Sequence, residues 1–553
     1  MGMLVRIASL LLFGALYLFP QARDYGRSMV ITQQGMAATS QALASQAGAQ
    51  ILAKGGSAVD AAIAANAVLG VVEPMMNGIG GDLFVIYWDA KSGKLTGLNA
   101  SGPAPRGLSA EFLRKQGFQS IPQGIHSITV PGAVDGWAKM HARFGKLPWK
   151  DLFQAAIAYA EEGFPVTEDA QRYWAGSATS LRSQAETARV YLPGGRAPRV
   201  GDVFKNPEMG RALRILADKG RDAFYKGEIA SAILKTSKAL GGTMTAEDLS
   251  AFSAEWVEPI STDYRGWRVY ELPPNGQGIA ALEMLNIMEA VPAGKASPYT
   301  ADELHRRIEA MKLAYSDLRY NGDPRFADIP VRGLLAKDYA RTRAAAMDPA
   351  KANCAVAAGT PVFGETTYLT TVDKDGNIAS WIQSLYDYFG SGVTVGGLGF
   401  LLHDRGQNFS LTPGSPNIIA GGKRPSHTII PGFMEKGDQH IGFGIMGGSN
   451  QAMAHAQFVS NVVDYGMNVQ QAMEAARFRK NGAPGCDVRI EGRVPAAVIR
   501  ALNQRGHQVQ IVREYDSAVT GRGQAILYNS TTKTKFGASD PRADGSAVPE
   551  PIR

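Results

Sequence analysis

The sequence contains little cysteine and no clustered metal ligands. Only Cys354 and Cys486 occur among 553 residues, which excludes a zinc site of four thiolates. One disulfide is possible, but two unpaired, buried thiols are the preferred interpretation. The eight histidines are spread singly without a His-x-x-x-His motif, and single ones such as His126 and His455 are interpreted as hydrogen-bonded core residues. We therefore expect no metal and no cofactor.

Clustered charge is also lacking. The net charge is +7, yet lysine and arginine are scattered along the chain, which argues against a nucleic-acid partner. The composition, 45% hydrophobic and 19% charged, is that of a globular protein with ample core. The 63 glycines fall in short loops, a pattern that favours an enzyme with many tight turns. Length alone would allow two to four domains.

Long hydrophobic runs are missing except at the N-terminus. Arg6 precedes an apolar stretch over residues 7–19 that ends at Pro20. This stretch is shorter than the ~20 residues of a bilayer span, and its basic start is typical of a secretory signal. No clear cleavage site precedes Arg23, so an uncleaved anchor stays open. We predict that residues 1–23 form a signal peptide or anchor, and that a soluble body is exported, periplasmic or extracellular.

Hydrophobic spacing predicts both helices and strands. Helices are predicted over residues 36–72 with a break at 54–56, after which Ser57 caps the second half, and over 279–290, 301–318 and about 451–478. A buried strand is predicted over 83–88, a turn over 89–94, mostly helix over 150–350 with a loop at 273–276, and short strands with glycine turns after 366. The Gly-Ile-Gly-Gly at 78–81 lacks the spacing of a phosphate loop and indicates tight packing.

The segment 364–377 carries a specific chemical signal. Thr366-Thr367 opens a β-branched run, and Asp375-Gly376 closes it as a hairpin turn. A threonine hydroxyl inside a chain is a poor nucleophile because nothing takes its proton. A chain break before Thr366 would free an α-amine, which titrates near ~8 and can act as the base. The alternative is an ordinary hairpin; Asp373 and Asp375 are expected to shape the turn without a catalytic part.

Several segments, taken in order, carry a resemblance to a known family. They are Gly-Gly-Ser-Ala-Val-Asp-Ala-Ala at 55–62, Asp-Pro at 323–324, Lys-Arg-Pro at 423–425, Met-Gly-Gly at 446–448 and Gly-Ala-Ser-Asp-Pro-Arg at 537–542. From about residue 33 to 545 the chain resembles the γ-glutamyltranspeptidase family of self-cleaving N-terminal-nucleophile hydrolases. The resemblance implies an α+β fold, the four-layer αββα sandwich.

The same resemblance implies processing and a catalytic group. The precursor would cut itself between Glu365 and Thr366, giving a large subunit, 24–365, and a small subunit, 366–553, that together form one αββα domain. Thr366 would then be the nucleophile and its α-amine the base. The N–H groups of Gly447 and Gly448 match the family's oxyanion hole. Ser384 matches a threonine whose hydroxyl supports the nucleophile.

The substrate pocket departs from the family pattern. Ser101 stands in place of an arginine that clamps the substrate α-carboxylate, and Tyr386 stands in place of an asparagine. Arg405 and Asn408 replace the groups that hold the α-ammonium. Ser426-His427 replaces a Ser-Ser pair. A guanidinium prefers a carboxylate. An inward Arg405 would thus favour an acyl group with a carboxylate and no α-amine; an outward Arg405 is the alternative. His427 either lines the pocket or caps a strand end.

One main function and two alternatives are predicted for the chain. The main prediction is hydrolysis of γ-glutamyl-type amides, the glutathione hydrolase and transferase class, through a threonine acyl-enzyme. The first alternative is an amidohydrolase of the family's γ-glutamyltranspeptidase-like branch, which includes cephalosporin acylases and an oxamate amidohydrolase. The second is an inactive relative that binds a small carboxylate. The short segment 409–423 suggests a missing lid and an open site, so hydrolysis should exceed transfer.

Overall fold

The computed structural model describes residues 25–294, 297–356 and 365–552. The predicted signal or anchor segment, 1–23, lies outside these residues. Within them, no helix combines the length and apolar character needed to cross a membrane.

Two antiparallel sheets of seven strands form the centre of the molecule. The first sheet, in spatial order, consists of Ser546–Pro549, Met36–Thr39, Glu365–Val372, Ile378–Tyr386, Asp82–Asp89, Lys94–Ala100 and Glu255–Val257. The second consists of Val30–Thr32, Lys535–Ser539, Gly523–Asn529, Gln439–Ile445, Gly432–Lys436, Trp267–Glu271 and Ile260–Tyr264. Smaller sheets join Phe478–Arg479, Asp487–Glu491 and Gln508–Val512, and Phe164–Pro165 with Val203–Phe204.

Three hydrophobic cores separate four layers. Apolar side chains of the two sheets, among them Phe84, Tyr368 and Phe433, form the core between the sheets. One helical layer packs on the outer face of the first sheet and includes Ala42–Ala53, Ala58–Val72, Ala133–Phe144, Gln154–Glu162 and Pro207–Lys219. The other packs on the second sheet and includes Gly278–Ala290, Ala301–Asp317, Lys337–Ala345, Asn450–Tyr465, Val469–Glu474 and Ala496–Gln504. This arrangement confirms the αββα sandwich.

Shorter elements decorate the layers. The remaining α-helices are Ala110–Lys115, Glu168–Leu181, Ala185–Tyr191, Arg221–Tyr225, Glu228–Ala239, Ala246–Ser250, Val331–Leu334 and Ser517–Thr520. Single 3-10 turns occupy Ile125–Ser127, Trp149–Phe153, Pro193–Gly195, Leu318–Tyr320 and Arg405–Asn408.

The predicted helix over 36–72 is wrong at its start. Met36–Thr39 is a buried strand, because it lies between two strands of the first sheet and pairs with both. The break is correct, and Ser57 accepts from the Asp60 N–H in a capping box that begins the helix Ala58–Val72. The helix predicted over 451–478 is split in two, since Gly466 adopts a left-handed φ of +64° and ends the first part.

Other local predictions are confirmed. The strand Asp82–Asp89 turns back into Lys94–Ala100, and the turn at Gly376 joins the two strands of the hairpin. Asp373 accepts hydrogen bonds from Asn377, consistent with its turn-shaping role. The glycines at 78–81 serve packing, because a Cβ on Gly81 would lie 2.5 Å from the carbonyl oxygen of Ser384.

The interpretation of unpaired cysteines is wrong. Cys354 and Cys486 form a disulfide with a Cα–Cα distance of 5.0 Å. The pair could not be read from the sequence because 132 positions separate the two residues, and only the packing of the second helical layer brings them together.

Candidate active site

Thr366 lies at the start of the strand Glu365–Val372 and is fully buried. Its hydroxyl donates to Ser384 Oγ at 3.4 Å and accepts from Gln451 Nε2 at 3.1 Å. Ser384 Oγ in turn accepts from the Tyr386 N–H at 2.7 Å. The strand pairing is irregular between Glu365 and Thr367, at the peptide bond where cleavage is predicted. The structure thus brings the predicted nucleophile and its supporting hydroxyl together.

Gln451 is a contact that the sequence did not indicate. It lies in the first turn of the helix Asn450–Tyr465, and its Oε1 accepts from the Ile430 N–H at 3.1 Å. That bond fixes the amide orientation, so the NH₂ group faces Thr366. A polar residue four positions after Gly447 was the available signal.

Gly447 and Gly448 form the turn that leads into the same helix. Their φ angles are +127° and +60°, a region where side chains are strained and glycine is favoured. Their carbonyls accept from the N–H groups of Asn450 and Gln451, and Gln277 Nε2 also donates to the Gly448 carbonyl at 2.9 Å. Among the described residues, neither glycine N–H donates to a backbone carbonyl. These two amides are therefore available as donors, and their role in an oxyanion hole stays a prediction.

Arg405 points inward and is fully buried, so the alternative of an outward side chain is wrong. Nη1 donates to Thr428 Oγ1 at 2.7 Å, and the guanidinium lies 4.4 Å from the centre of the Tyr386 ring. Within the described part of the chain, Nε and Nη2 have no hydrogen-bond partner. Burial lowers the pKa of Arg405, against the attraction of Asp82 and Tyr386. Arg405 is thus a buried cation with two unpartnered nitrogens among the described residues.

His427 is held by Asp82, a residue that the sequence did not single out. His427 Nε2 lies 3.0 Å from Asp82 Oδ2, and Nδ1 accepts from the Ile429 N–H at 3.3 Å; Nε2 therefore carries the ring proton. Burial and then the Arg405 charge lower the pKa of His427 to about 3, so the imidazole is neutral. Its ring also packs on Phe84, with centroids 4.7 Å apart.

Asp82 joins this group to the catalytic strands. Its backbone pairs with Ser384 across the first sheet, and His403 Nδ1 lies 3.4 Å from Asp82 Oδ2. Burial raises the pKa of Asp82, but His403, His427 and Arg405 outweigh burial and leave it below its usual value. Asp82 is thus an ionised carboxylate that accepts from His427 Nε2 and lies close to His403. The acid at the start of a buried strand was the only signal in the sequence.

Ser101, Asn408 and Ser426 lie in neighbouring polar networks. Ser101 Oγ donates to Asn99 Oδ1 at 2.7 Å. Asn408 Nδ2 donates to the Ser426 carbonyl at 3.0 Å, while Asn408 Oδ1 has no partner among the described residues. A cavity of about 40 Å³ is lined by Ser426, His427 and Thr428, and Thr428 is also the residue that accepts from Arg405.

The expected open site is a property of the processed enzyme and stays a prediction. The segment 409–423 is a compact turn, in which the Ser410 N–H donates to the Asn417 carbonyl at 2.9 Å. Even so, Thr366 and Arg405 are fully buried. In this continuous chain Glu365 still continues the strand and pairs with Tyr386.

The histidines are less dispersed than the sequence suggests. His455 Nδ1 is bonded to Glu271 Oε1 at 2.7 Å, as expected for a core residue. His305, Glu309 and His507, however, bring their side chains within 4.8 Å of one another. Lys312 Nζ donates to Glu309 Oε1 at 2.7 Å, and this neighbouring cation opposes a metal ion. The contacts of these three residues are therefore those of a structural polar cluster.

Comparisons with known proteins agree with this geometry. The family model described as Gamma-glutamyltranspeptidase matches residues 44–550. A glutathione hydrolase-like YwrD proenzyme of Bacillus subtilis (strain 168) is 38% identical over 94% of this chain and 99% of its own. An oxamate amidohydrolase proenzyme of Klebsiella pneumoniae is 34% identical over 94% of this chain and 99% of its own length. The crystal structure of a cephalosporin acylase from Bacillus halodurans is 42% identical, with a TM-score of 0.89 over 96% and 99% of the two chains. The chain therefore belongs to the γ-glutamyltranspeptidase family of N-terminal-nucleophile hydrolases.

Proposed function

We propose that the chain cuts itself before Thr366 and then hydrolyses amides whose acyl group carries a free carboxylate but no α-amine. The observation that carries the substrate class is Arg405, a buried guanidinium whose Nε and Nη2 have no described partner. A buried charge is costly unless it is paired. A substrate carboxylate supplies that pairing in a bidentate geometry.

Self-cleavage begins with the Thr366 hydroxyl. Oγ1 attacks the Glu365 carbonyl as its proton moves toward Ser384 Oγ, 3.4 Å away. The C–N bond breaks, the nitrogen of Thr366 takes a proton, and an ester joins the two segments. Water then hydrolyses the ester, which leaves a carboxylate on Glu365 and a free amine on Thr366.

Turnover uses the same atoms with the amine as base. Thr366 Oγ1 attacks the substrate amide carbonyl and passes its proton to the α-amine. The N–H groups of Gly447 and Gly448 stabilise the oxyanion; a lost donor of this kind typically costs ~3 kcal/mol of barrier. The amine product departs with the proton, and water hydrolyses the acyl-threonine. No metal or cofactor takes part in these steps.

Charge decides against an α-ammonium in the pocket. Asp82, the ionised acid beside Arg405, already bonds His427 and lies near His403. Two further acids, Asp387 and Asp404, also act on Arg405, but burial raises the pKa of both and weakens the negative charge that they offer. A γ-glutamyl ammonium would therefore meet a guanidinium whose charge is only partly offset. Oxamate, named for one relative, is an amide that carries a carboxylate and no α-amine, in agreement with this preference.

The proposed location is outside the cytoplasm. The N-terminal segment 1–23 has the composition of an export signal. A disulfide between Cys354 and Cys486 fits an oxidising compartment.

The test compares two anilides that differ by one amine. We expect glutaryl-p-nitroanilide to have a higher kcat/KM than γ-glutamyl-p-nitroanilide. Arg405→Met should lower kcat/KM for the glutaryl compound about 100-fold, the scale of a lost charged hydrogen-bond pair. It should thereby reduce the ratio of the glutaryl kcat/KM to the γ-glutamyl kcat/KM. Arg319 is an exposed arginine that lines the neighbouring cavity, so Arg319→Met is the matched control and should retain the preference for the glutaryl compound. A clear preference of the native enzyme for the γ-glutamyl compound would refute the proposed substrate class and favour glutathione-type hydrolysis.

A further inference from the structure

The disulfide joins residues on opposite sides of the proposed cleavage point. Cys354 lies eleven positions before Glu365, and Cys486 lies in the segment that follows Thr366. We propose that this disulfide links the large and small subunits covalently after cleavage, so that the mature enzyme stays one molecule. The inference rests on the proposed self-cleavage, since only cleavage turns an internal bond into a link between subunits.

The contact around the bond is already built by hydrogen bonds. Cys354 accepts at its carbonyl from the Gly485 N–H at 3.0 Å, and the Ala352 N–H donates to the Arg505 carbonyl at 2.7 Å. Cys486 is buried, and its carbonyl accepts from the Gln508 N–H at 2.7 Å. Two backbone hydrogen bonds therefore cross between the large-subunit and small-subunit segments beside the disulfide.

The rest of the molecule explains what the link adds. In the first sheet, Met36–Thr39 of the large subunit lies between two strands of the small subunit, Ser546–Pro549 and the strand Glu365–Val372, which belongs to the small subunit from Thr366 onward. Strand pairing thus interleaves the bodies of the subunits independently of the disulfide. The end of the large subunit is different, because cleavage creates a chain terminus there. The disulfide fixes Cys354, eleven positions before this terminus, against Cys486 of the small subunit.

The disulfide forms by thiol–disulfide exchange. The Cys354 and Cys486 thiols lose two protons and two electrons and form one S–S bond. The acceptor is a protein or small-molecule disulfide, which leaves as two thiols. Such acceptors operate in the oxidising compartments to which the N-terminal segment would direct the chain.

Denaturing gels with thiols blocked by N-ethylmaleimide test the link on the purified, full-length protein. We expect one band without reductant and two with it, the smaller starting at Thr366. Cys354→Ser and Cys486→Ser should each give two bands without reductant. Two bands from the native enzyme without reductant would overturn the link and leave self-cleavage intact. One band under both conditions would overturn the cleavage and, with it, the link between subunits.

Peptide mass spectrometry separates this link from a bond between two copies. A non-reduced digest of the mature enzyme should contain a joined pair of peptides, one with Cys354 and one with Cys486, that separates on reduction. A joined pair of two Cys486 peptides would refute the assignment.

Discussion

The side-chain amide of Gln451 donates a hydrogen bond to the hydroxyl of Thr366 at 3.1 Å. Because the Gln451 Oε1 is occupied by the Ile430 N–H, the amide presents its NH₂ to the nucleophile. A donor on this oxygen stabilises the negative charge that develops as the proton leaves. It also leaves the hydroxyl proton directed at Ser384.

We therefore expect Gln451→Leu to slow self-cleavage and turnover by about 10- to 100-fold, somewhat below the loss of a full oxyanion donor. The rate at which the precursor converts into two fragments, followed on gels, measures the first effect. Gln457→Leu is the matched control on the same helix, because Gln457 bonds only the backbone of Met453 and Phe478 among the described residues. Cleavage by Gln451→Leu at the native rate would exclude this role.

Ser384 is expected to act through its hydroxyl. Ser384→Ala should slow precursor conversion, while Ser384→Thr should retain it, because threonine supplies the same oxygen. Ser380→Ala on the same strand removes a buried hydroxyl that donates to the Gly432 carbonyl. This control should lower the melting temperature without a selective loss of cleavage. Equal rates for the alanine and threonine variants at Ser384 would contradict the assignment.

Some of the candidate site could be predicted from the sequence, but not the rest. Thr366 and the pair Gly447-Gly448 were predicted through the resemblance of several segments in order, because each motif alone also fits an ordinary hairpin or turn. Gln451 and Asp82 could not, since their roles depend on contacts with Thr366 and His427 across two layers. Long-range packing, which no short window of sequence contains, creates both contacts.

The same limit applies to the fold. The alanine-rich residues 36–39 favour a helix locally, but two flanking strands impose a strand. In contrast, the capping box at Ser57 is local, and the helix that it begins was predicted correctly. The direction of Arg405 is a further case: only the structure shows that its guanidinium is buried.

His427 should make the protein less stable as the pH falls. Its pKa is about 3 in the folded protein, against an ordinary value of 6.5. Between these values the unfolded chain binds a proton that the folded protein does not, so the free energy of unfolding decreases as the pH falls through this window. His427→Gln should reduce the slope measured by urea unfolding from pH 7 to 4. His403, whose pKa burial also lowers, remains near Asp82 and Arg405, so part of the slope should persist. An unchanged slope would contradict the neutral, buried imidazole.

Glu73 should give the opposite pH dependence. It lies on the other side of the nucleophile strand, where it accepts from Thr367 Oγ1 at 3.3 Å and from Ser40 Oγ at 2.5 Å. Burial raises the pKa of Glu73 above 4.5, and Arg522 only partly opposes this. Above pH 4.5 the unfolded chain releases a proton that the folded protein retains, so stability decreases as the pH rises toward the folded-state pKa.

Glu73→Gln keeps an acceptor oxygen for Thr367 and Ser40 but removes the ionisation. We expect this variant to lose the decrease in unfolding free energy above pH 4.5 and to cleave before Thr366 at close to the native rate. Glu73→Leu is the contrasting variant, because it leaves the Thr367 and Ser40 hydroxyls without their acceptor, and Thr367 lies next to the cleavage point. This variant should lower the free energy of unfolding by about 1–3 kcal/mol and slow cleavage. Urea unfolding across pH 4 to 8 and the rate of fragment formation measure the two effects. If the glutamine and native proteins show the same pH dependence, then Glu73 does not hold its proton in the folded state, and its contacts with Thr367 and Ser40 are those of an ionised carboxylate.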